Sequence, residues 1–470
     1  MNRSKKEEPW SVCDIFPTYS FSLISPSSEL AQSAQTEGWT RVNPKSLVVT
    51  TCRWIPTARL AMALDNAGCM VEAVCPSHHP LSKTRLGCKI HPYRDLMPLR
   101  SIKNAILAAK PDLIIPGDDL ATQHLHELYY REMRLRKTGA LSELIERSLG
   151  APQSFSIVYA RTTFMDCAQE ASVRVPKSEV ITNIEDVRRW AARSGFPTVL
   201  KADGTSGGDG VRVVHTLEEA ESAFQTLHAP PLLSRAVKRA LLDQDKRLLW
   251  PSLLRRRAVV NAQTFVAGRE ATSAIACWKG TVLAELHFEV LRKVDDAGPS
   301  TVVRLIENAE MSFAAEKIVR RLNLSGLHGF DYMLEASTGN AYLLEINPRA
   351  TQVGHLTLGR GRDLPAALCA AVSGEPVRIA RKVTENDVIA LFPQEWNGDP
   401  ESPFLQSGYH DIPWGEPELV KDCIRMCRKQ RPWYTKQNWL QSLLAIRSSS
   451  SSPLSARPEH RAMEMDCEAK

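Results

Sequence analysis

Long apolar runs are missing from this 470-residue sequence. No stretch reaches the roughly 18 apolar residues that a membrane-spanning helix needs. No apolar segment follows the basic start of the chain, so we expect neither a membrane partner nor a secretory signal. The eleven cysteines contain no CxxC pair and no metal-ligand spacing. These absences predict a cytoplasmic protein whose thiols are reduced.

A large excess of one charge is missing as well. The net charge is +6, and contents of 43% hydrophobic and 24% charged residues are ordinary for a globular protein. The most basic segment, residues 235–260, interleaves leucines with its arginines and lysines, which favours a solvated amphipathic helix over a nucleic-acid surface. We therefore predict no nucleic-acid partner, and two or three domains for a chain of this length.

Strands and helices alternate from residue 46 onward. SLVVT, CMVEAVC and PDLIIPG have the composition of strands, and ARLAMALDNAG and SIKNAILAAK have the periodicity of helices. This alternation predicts a small parallel α/β sheet. The loop after the first strand, TTCRWIPT, lacks the GxGxxG pattern of a dinucleotide site, so no cofactor is assigned to it.

Polar side chains recur at every second position near the end of a later strand, YLLEINPRA. Because alternate side chains of a strand share a face, Glu345, Asn347 and Arg349 are expected to point the same way. The preceding strand carries Asp331, and the short loop Ser337–Gly339 between the strands predicts a three-residue hairpin in which Gly339 is left-handed.

That hairpin register pairs Met333 with Leu343 and Asp331 with Glu345. Opposed side chains lie about 5 Å apart at Cβ, so the two acids should repel each other. A divalent cation bound by Asp331, Glu345 and Asn347 removes the repulsion, since Mg²⁺ prefers oxygen ligands. An edge hairpin whose acids face solvent is the alternative.

A glycine-rich segment, FPTVLKADGTSGGDGVRVV, places Lys201 at the end of an apolar strand and a second strand after the glycines. Such a loop lets backbone N–H groups approach phosphate oxygens, and the lysine adds a point charge. The segment is not a P-loop, because the lysine precedes the glycines and no helix follows. A flexible surface turn is the alternative interpretation.

Together, these features resemble the ATP-grasp superfamily, in particular enzymes of the carbamoyl phosphate synthetase, biotin carboxylase and D-alanine–D-alanine ligase kind. The resemblance covers roughly residues 46–380. It implies ATP and Mg²⁺ as cofactors, with Mn²⁺ as an alternative metal. The implied metal ligands are Asp331, Glu345 and Asn347. Lys201 and Arg349 are the implied catalytic residues.

The same resemblance implies a nucleotide site. The segment Gln263–Glu270 would be the hinge between two lobes, with adenine held by the backbone near Phe265 and Val266 and the ribose held by Glu270. Gln263 stands where many family members have an acid. The residues that would contact phosphates are Arg161, Lys201, Gly204, Gly207, Gly208 and Gly210.

The implied fold is of mixed α/β and α+β class: a Rossmann-like pre-ATP-grasp domain, then a two-lobed ATP-grasp domain and a C-terminal extension. In chain order, we expect a loosely ordered N-terminal arm at 1–44, the pre-ATP-grasp domain at 45–130, the ATP-grasp domain at 131–380 with a mobile glycine-flap lobe at about 195–265, the extension at 381–447 and a disordered tail at 448–470.

The activity implied by the resemblance is ligation of a small-molecule carboxylate to an amine, or less often a thiol, through an acyl phosphate. No biotin-carrier lysine motif occurs, which disfavours a complete biotin carboxylase. A small-molecule kinase and a non-catalytic nucleotide-binding module are the alternatives. His355 and Arg360 are candidates for the acceptor pocket, although His355 is equally consistent with a packed histidine.

Overall fold

The computed structural model describes residues 43–135, 139–203, 210–230, 257–295 and 298–430, with side chains to residue 425. All of them belong to one compact unit that begins at Asn43. The predicted tail, nearly all of the predicted N-terminal arm, and most of the basic segment 235–260 lie outside the described residues.

The first sheet has four parallel strands in the order β3-β2-β1-β4. Its strands and the helices that accompany them are β1 Lys45–Val49, α1 Ile55–Asn66, β2 Met70–Cys75, β3 Lys89–Pro92, α2 Pro98–Ala109, β4 Leu113–Pro116, α3 Asp119–Arg134 and α4 Ala140–Leu149. The predicted parallel sheet is therefore present. Strand β3 was not predicted, because its four residues, KIHP, are largely exposed and carry no apolar alternation.

A second, antiparallel sheet has the order β5-β8-β6-β7. Its elements, with the helix that precedes them, are α5 Arg161–Glu170, β5 Ser178–Ile181, α6 Ile184–Ser194, β6 Thr198–Ala202, β7 Val211–Val214, α7 Leu217–His228 and β8 Val260–Thr264. Helices α6 and α7 bury Trp190 and Phe224 against the strands, which gives this lobe its own hydrophobic core.

The third sheet has seven strands in the order β13-β12-β9-β10-β11-β14-β15. Its strands are β9 Gly268–Trp278, β10 Thr281–Lys293, β11 Ser300–Ile306, β12 Gly326–Glu335, β13 Ala341–Asn347, β14 Val388–Ala390 and β15 Tyr409–His410. Helices α5 and α8 (Ala309–Leu322) pack on one face. Helices α1 and α9 (Leu364–Ser373) pack on the other.

The segment after residue 380 contributes β14 and β15 to this sheet, together with helices α10 (Gln394–Gly398), α11 (Phe404–Ser407) and α12 (Pro417–Gln430). Its fully buried Trp396 packs in one core with Val302 of β11. The predicted α/β and α+β class is confirmed. The domain boundaries stay predictions; Leu144, Ile145 and Phe155 share a core with Leu47 of β1.

One cysteine pair differs from expectation. Cys69 and Cys369 are bonded in a disulfide that joins the start of β2 to α9, so the prediction of reduced thiols is wrong at this pair. The sequence offers no sign of it, because the two residues are 300 positions apart. The other six cysteines whose side chains are described are thiols. No helix in the described part of the chain is long and apolar enough to span a membrane.

Candidate active site

The hairpin of β12 and β13 places Asp331 directly opposite Glu345, as predicted. The predicted pairing of Met333 with Leu343 is wrong, because Met333 faces Tyr342. The connecting loop has four residues, 336–339, rather than three, and Leu344 is bulged out of register. The bulge absorbs the additional loop residue and keeps the two acids opposed. Gly339 has a φ of +76°, so its predicted left-handed conformation is confirmed.

Asp331 is held from two sides. Thr272 Oγ1 donates to its Oδ1 at 2.8 Å, and Asn347 Nδ2 donates to its Oδ2 at 2.9 Å. Burial, together with the charge of Glu345, raises the pKa of Asp331 to about 7. The two opposed carboxylates therefore do not ionise freely next to each other.

The oxygen donors of this site fit a magnesium ion. Asp331 and Glu345 offer carboxylate oxygens, and Asn347 offers an amide oxygen, the ligand types that Mg²⁺ prefers. A divalent cation would stabilise the ionised form of both acids and remove their repulsion. Among the described residues, no group of three or more His, Cys, Asp or Glu side chains is placed so that it could hold a metal ion. The amide of Asn347 would therefore be the third protein ligand.

Two cations approach the acids from the second sheet and from α5. Arg161, the first residue of α5, donates from Nη2 to Glu345 Oε2 at 3.1 Å and from Nη1 to the carbonyl oxygen of Ala202. Lys201 of β6 is 8% exposed. Burial lowers the pKa of Lys201 to about 8, against the opposing effect of Glu345.

The predicted hinge connects two sheets. Strand β8 ends at Thr264 in the second sheet, and β9 begins at Gly268 in the third. A Cβ on Gly268 would lie 2.0 Å from the carbonyl oxygen of Leu334, so the hinge crosses the hairpin too closely for a side chain. The residues proposed to hold adenine are Phe265, which is 40% exposed, and Val266, which is half-buried.

The two polar hinge residues have protein partners. Glu270 Oε1 accepts from Lys293 Nζ at 2.6 Å, and Glu270 contributes to the electrostatic field at Lys201. Gln263 is buried, and its Nε2 donates to Ser178 Oγ at 3.1 Å. The structure thus brings Arg161, Lys201, Glu270, Asp331 and Glu345 near one another, while the Gln263 amide is engaged by β5.

The glycine flap is described only at its edges. Gly204, Gly207 and Gly208 lie outside the described residues. Gly210 is described, and its carbonyl oxygen accepts from the backbone N–H of Ala202 at 2.8 Å. The two ends of the glycine-rich segment are therefore paired next to Lys201.

Arg349 follows β13 and reaches the first sheet. Its Nε donates to Asp119 Oδ1 at 3.0 Å, its Nη2 donates to Asn347 Oδ1 at 3.2 Å, and its guanidinium lies 5.4 Å from the ring centre of Trp54. Sequence reasoning missed Asp119, Trp54 and Thr272. The position of Asp119, the second residue after the predicted strand PDLIIPG, was a usable signal, since ligands bind at the carboxyl ends of parallel strands.

Part of this chain is similar in sequence to known proteins. Residues 160–358 match a family model described as "Carbamoyl-phosphate synthase L chain, ATP binding domain". The chain is 22% identical over 271 residues to the carbamoyl phosphate synthase arginine-specific large chain of Geobacillus stearothermophilus, which is 55% of this chain and 23% of that protein. It is 27% identical over 199 residues to the acetyl-CoA carboxylase of Dictyostelium discoideum, covering 42% of this chain and 8% of that protein.

Solved structures show the same fold. The ADP complex of N5-carboxyaminoimidazole ribonucleotide synthetase is similar with a TM-score of 0.51 and 16% identity, over 73% of this chain and 81% of that one. The biotin carboxylase domain of the 2-oxoglutarate carboxylase of Hydrogenobacter thermophilus has a TM-score of 0.50 and 15% identity, over 71% of each chain. Residues 160–358 therefore match an ATP-grasp domain, and the chain has the fold of these solved structures. It spans less than a quarter of the length of the two curated relatives.

Proposed function

We propose that this protein is an ATP-dependent ligase that joins a small-molecule carboxylate to an amine through an acyl phosphate. One observation carries the proposal: two cations, Arg161 and Lys201, lie close to the opposed acids Asp331 and Glu345, at the junction of the second and third sheets. Cations bind the phosphates of a nucleotide, while the acids bind its metal. A structural ion-pair cluster would not need two opposed carboxylates.

In the first step, an oxygen of the substrate carboxylate attacks the γ-phosphorus of ATP, the bond to the β-phosphate oxygen breaks, and ADP leaves. In the second step, the amine attacks the acyl carbon, phosphate leaves, and the amine gives up one proton. Lys201 and Arg161 would hold the phosphates in line, and Arg349 would stabilise the transferred phosphoryl group. Mg²⁺, bound by Asp331, Glu345 and Asn347, would neutralise the charge that develops on the phosphate oxygens.

The relatives support this reaction class. One curated relative is named as a carbamoyl phosphate synthase and one as an acetyl-CoA carboxylase. One structural neighbour was solved with ADP, and another with MgADP and bicarbonate. For this chain we propose ATP and Mg²⁺, with Gln263, Phe265, Val266 and Glu270 around the nucleoside.

The test is a screen of carboxylates and amines for stimulated release of ADP. We expect one pair to give ADP and inorganic phosphate in equal amounts. The double variant D331N/E345Q should lose this turnover by at least about a thousandfold, because both charged metal ligands are removed. The matched control is E335Q, which removes an acid from the same hairpin at its loop end.

Three results would contradict the proposal. Full turnover in folded D331N/E345Q would exclude the metal assignment. ADP together with a stable phosphorylated product would identify a kinase. Nucleotide binding without ADP release, for every pair in the screen, would favour a non-catalytic binding module. Phosphorus NMR of the reaction mixture distinguishes inorganic phosphate from a phosphorylated product, and equilibrium binding of ATP identifies the non-catalytic module.

A further inference from the structure

The carboxyl edge of the first sheet forms a crevice beside the proposed active site. The chain runs from β1 outward to β2 and β3, then crosses over to β4 on the opposite side of β1, so the direction of winding reverses between β1 and β4. Loops that follow two such strands diverge and leave a crevice that binds ligands in open α/β sheets. The loops here are TTCRW, residues 50–54, and GDD, residues 117–119.

The carboxylate of Asp118 links the two loops by hydrogen bonds. Its Oδ2 accepts from Thr50 Oγ1 at 2.7 Å and from the N–H of Thr51 at 2.6 Å, and its Oδ1 accepts from the N–H of Ala121 at 2.9 Å. The end of β13 docks on the same edge, because the N–H of Ala350 donates to the carbonyl oxygen of Pro116 at 3.1 Å. Hydrogen bonds therefore join the two loops to each other and to the end of β13.

Two features of this crevice bind a cation, and Arg349 engages both. Asp119 accepts from Arg349 Nε at 3.0 Å, and the two side chains are 21% and 16% exposed. The guanidinium of Arg349 lies over the face of Trp54, 5.4 Å from the centre of the ring. A carboxylate beside an aromatic face is a favourable site for an ammonium group as well as for a guanidinium.

We propose that Asp119 and Trp54 form the subsite for the ammonium group of the amine substrate, and that Arg349 occupies this subsite until nucleotide binds. The inference rests on the proposed function, in which Arg349 serves the transferred phosphoryl group. When the phosphates draw the guanidinium away, Asp119 and the Trp54 face lose their cation. An ammonium then replaces it next to the acyl phosphate. After it gives up one proton to Asp119, its neutral nitrogen attacks the acyl carbon.

This exchange imposes an order of binding. Nucleotide binds first, because it removes the internal cation, and the amine binds second. The amine is therefore expected to be one that is protonated in solution and carries an apolar group able to lie against Trp54. Ammonia alone would leave the indole face without a partner.

The test removes the internal cation by substitution. The probe is n-butylammonium chloride, titrated into the full chain without nucleotide and followed by saturation-transfer NMR. We expect R349M to bind the probe at least about tenfold more tightly than the wild type, and R349M/D119N or R349M/W54L to lose that gain. The matched control is R193M, which removes a largely exposed arginine on α6.

Equal binding of the probe by R349M and the wild type would overturn the proposal. So would a gain in R349M that survives D119N, because the acid would then not be the partner. A second measurement needs no variant: a non-hydrolysable ATP analogue with Mg²⁺ should increase probe binding by the wild type about tenfold. If R349M does not fold, this second measurement decides whether the exchange occurs. Binding of the analogue without an increase in probe binding would contradict the exchange.

The outcomes separate the two proposals. A chain that releases ADP with some carboxylate and amine, but whose R349M variant binds no more probe than the wild type, keeps its ligase function and loses this subsite. A chain that binds no nucleotide loses the proposed function, while the comparison of R349M with R349M/D119N still decides whether Asp119 and Trp54 form a cation site.

Discussion

Arg161 and Glu345 are 184 residues apart in the chain and form an ion pair of 3.1 Å between α5 and β13. Both side chains are partly buried, at 17% and 35% exposure. The arginine thus neutralises an acid that we propose as a metal ligand. Nucleotide and metal would separate the pair, with the metal on the acid and the phosphates on the arginine.

This relationship predicts that R161Q weakens nucleotide binding. Loss of a charge-assisted hydrogen bond to phosphate costs about 1.5–3 kcal/mol, which corresponds to a decrease in affinity of about tenfold to a hundredfold. Equilibrium binding of ATP with Mg²⁺ measures it. R189Q, which changes an exposed arginine on α6, is the control. An affinity for R161Q within twofold of the wild type would remove Arg161 from the site.

The raised pKa of Asp331 predicts an unusual dependence of stability on pH. The folded-state value, about 7, lies above the value of about 3.9 for an unfolded aspartate. The protonated acid is therefore favoured by folding, and this contribution is present below about pH 4 and is lost as the pH rises through 7. The side chain at this position in D331N cannot ionise, so the variant should not lose this stability as the pH rises.

Thermal melting without metal at several pH values measures this effect. The melting temperature of D331N should exceed that of the wild type by about 2 °C or more at pH 8, and the difference should shrink towards pH 4. Mg²⁺ should stabilise the wild type and leave D331N nearly unchanged. A difference that is constant over this range would mean that Asp331 does not carry the shifted pKa.

The hairpin shows what a sequence pattern can predict. Alternation of acid, amide and arginine fixes which side chains share a face, so Asp331 and Glu345 were expected to oppose each other, and they do. The bulge at Leu344 was not expected, because it depends on the length of the loop rather than on alternation. The predicted register was therefore wrong by one residue near the loop, but the predicted pairing of the two acids was correct.

Contacts between distant segments were not predictable in the same way. Arg349 was identified by its motif, but its partners Asp119 and Trp54 lie on loops of another sheet. Nothing in a local pattern specifies which loop a strand end will meet. His355 was a candidate for the acceptor pocket, whereas the structure places its Nε2 at 2.7 Å from Asp411.

Lys201 gives a prediction for nucleotide binding. Burial lowers the pKa of this lysine to about 8, so a neutral amine replaces the ammonium as the pH rises above that value. We expect the affinity of the wild type for ATP to fall between pH 7 and pH 9, because the phosphates lose a positive partner. K201M should bind more weakly at pH 7 and show a flatter profile. Parallel profiles for the two proteins would contradict the assignment.

The last prediction concerns Asp411, which is buried where three segments meet. Arg59 of α1 donates from Nη2 to its Oδ1 at 2.6 Å, and His355 Nε2 lies 2.7 Å from its Oδ2. Burial opposes ionisation of this acid, but Arg59 and His355 outweigh burial and lower its pKa to about 2. The charge of Asp411 therefore stabilises the fold, and removing it leaves Arg59 without its carboxylate.

We expect D411A to lower the free energy of unfolding at pH 7 by about 3 kcal/mol, because it breaks a buried pair from one side. The folded-state pKa lies below the unfolded value, so the stabilisation is present above about pH 4 and is lost as the pH falls towards 2. Urea unfolding at successive pH values measures both effects, with the exposed acid variant E418Q as the control. If D411A unfolds at the same urea concentration as the wild type at pH 7, the junction of α1, the loop after β13 and the C-terminal segment does not depend on this ion pair.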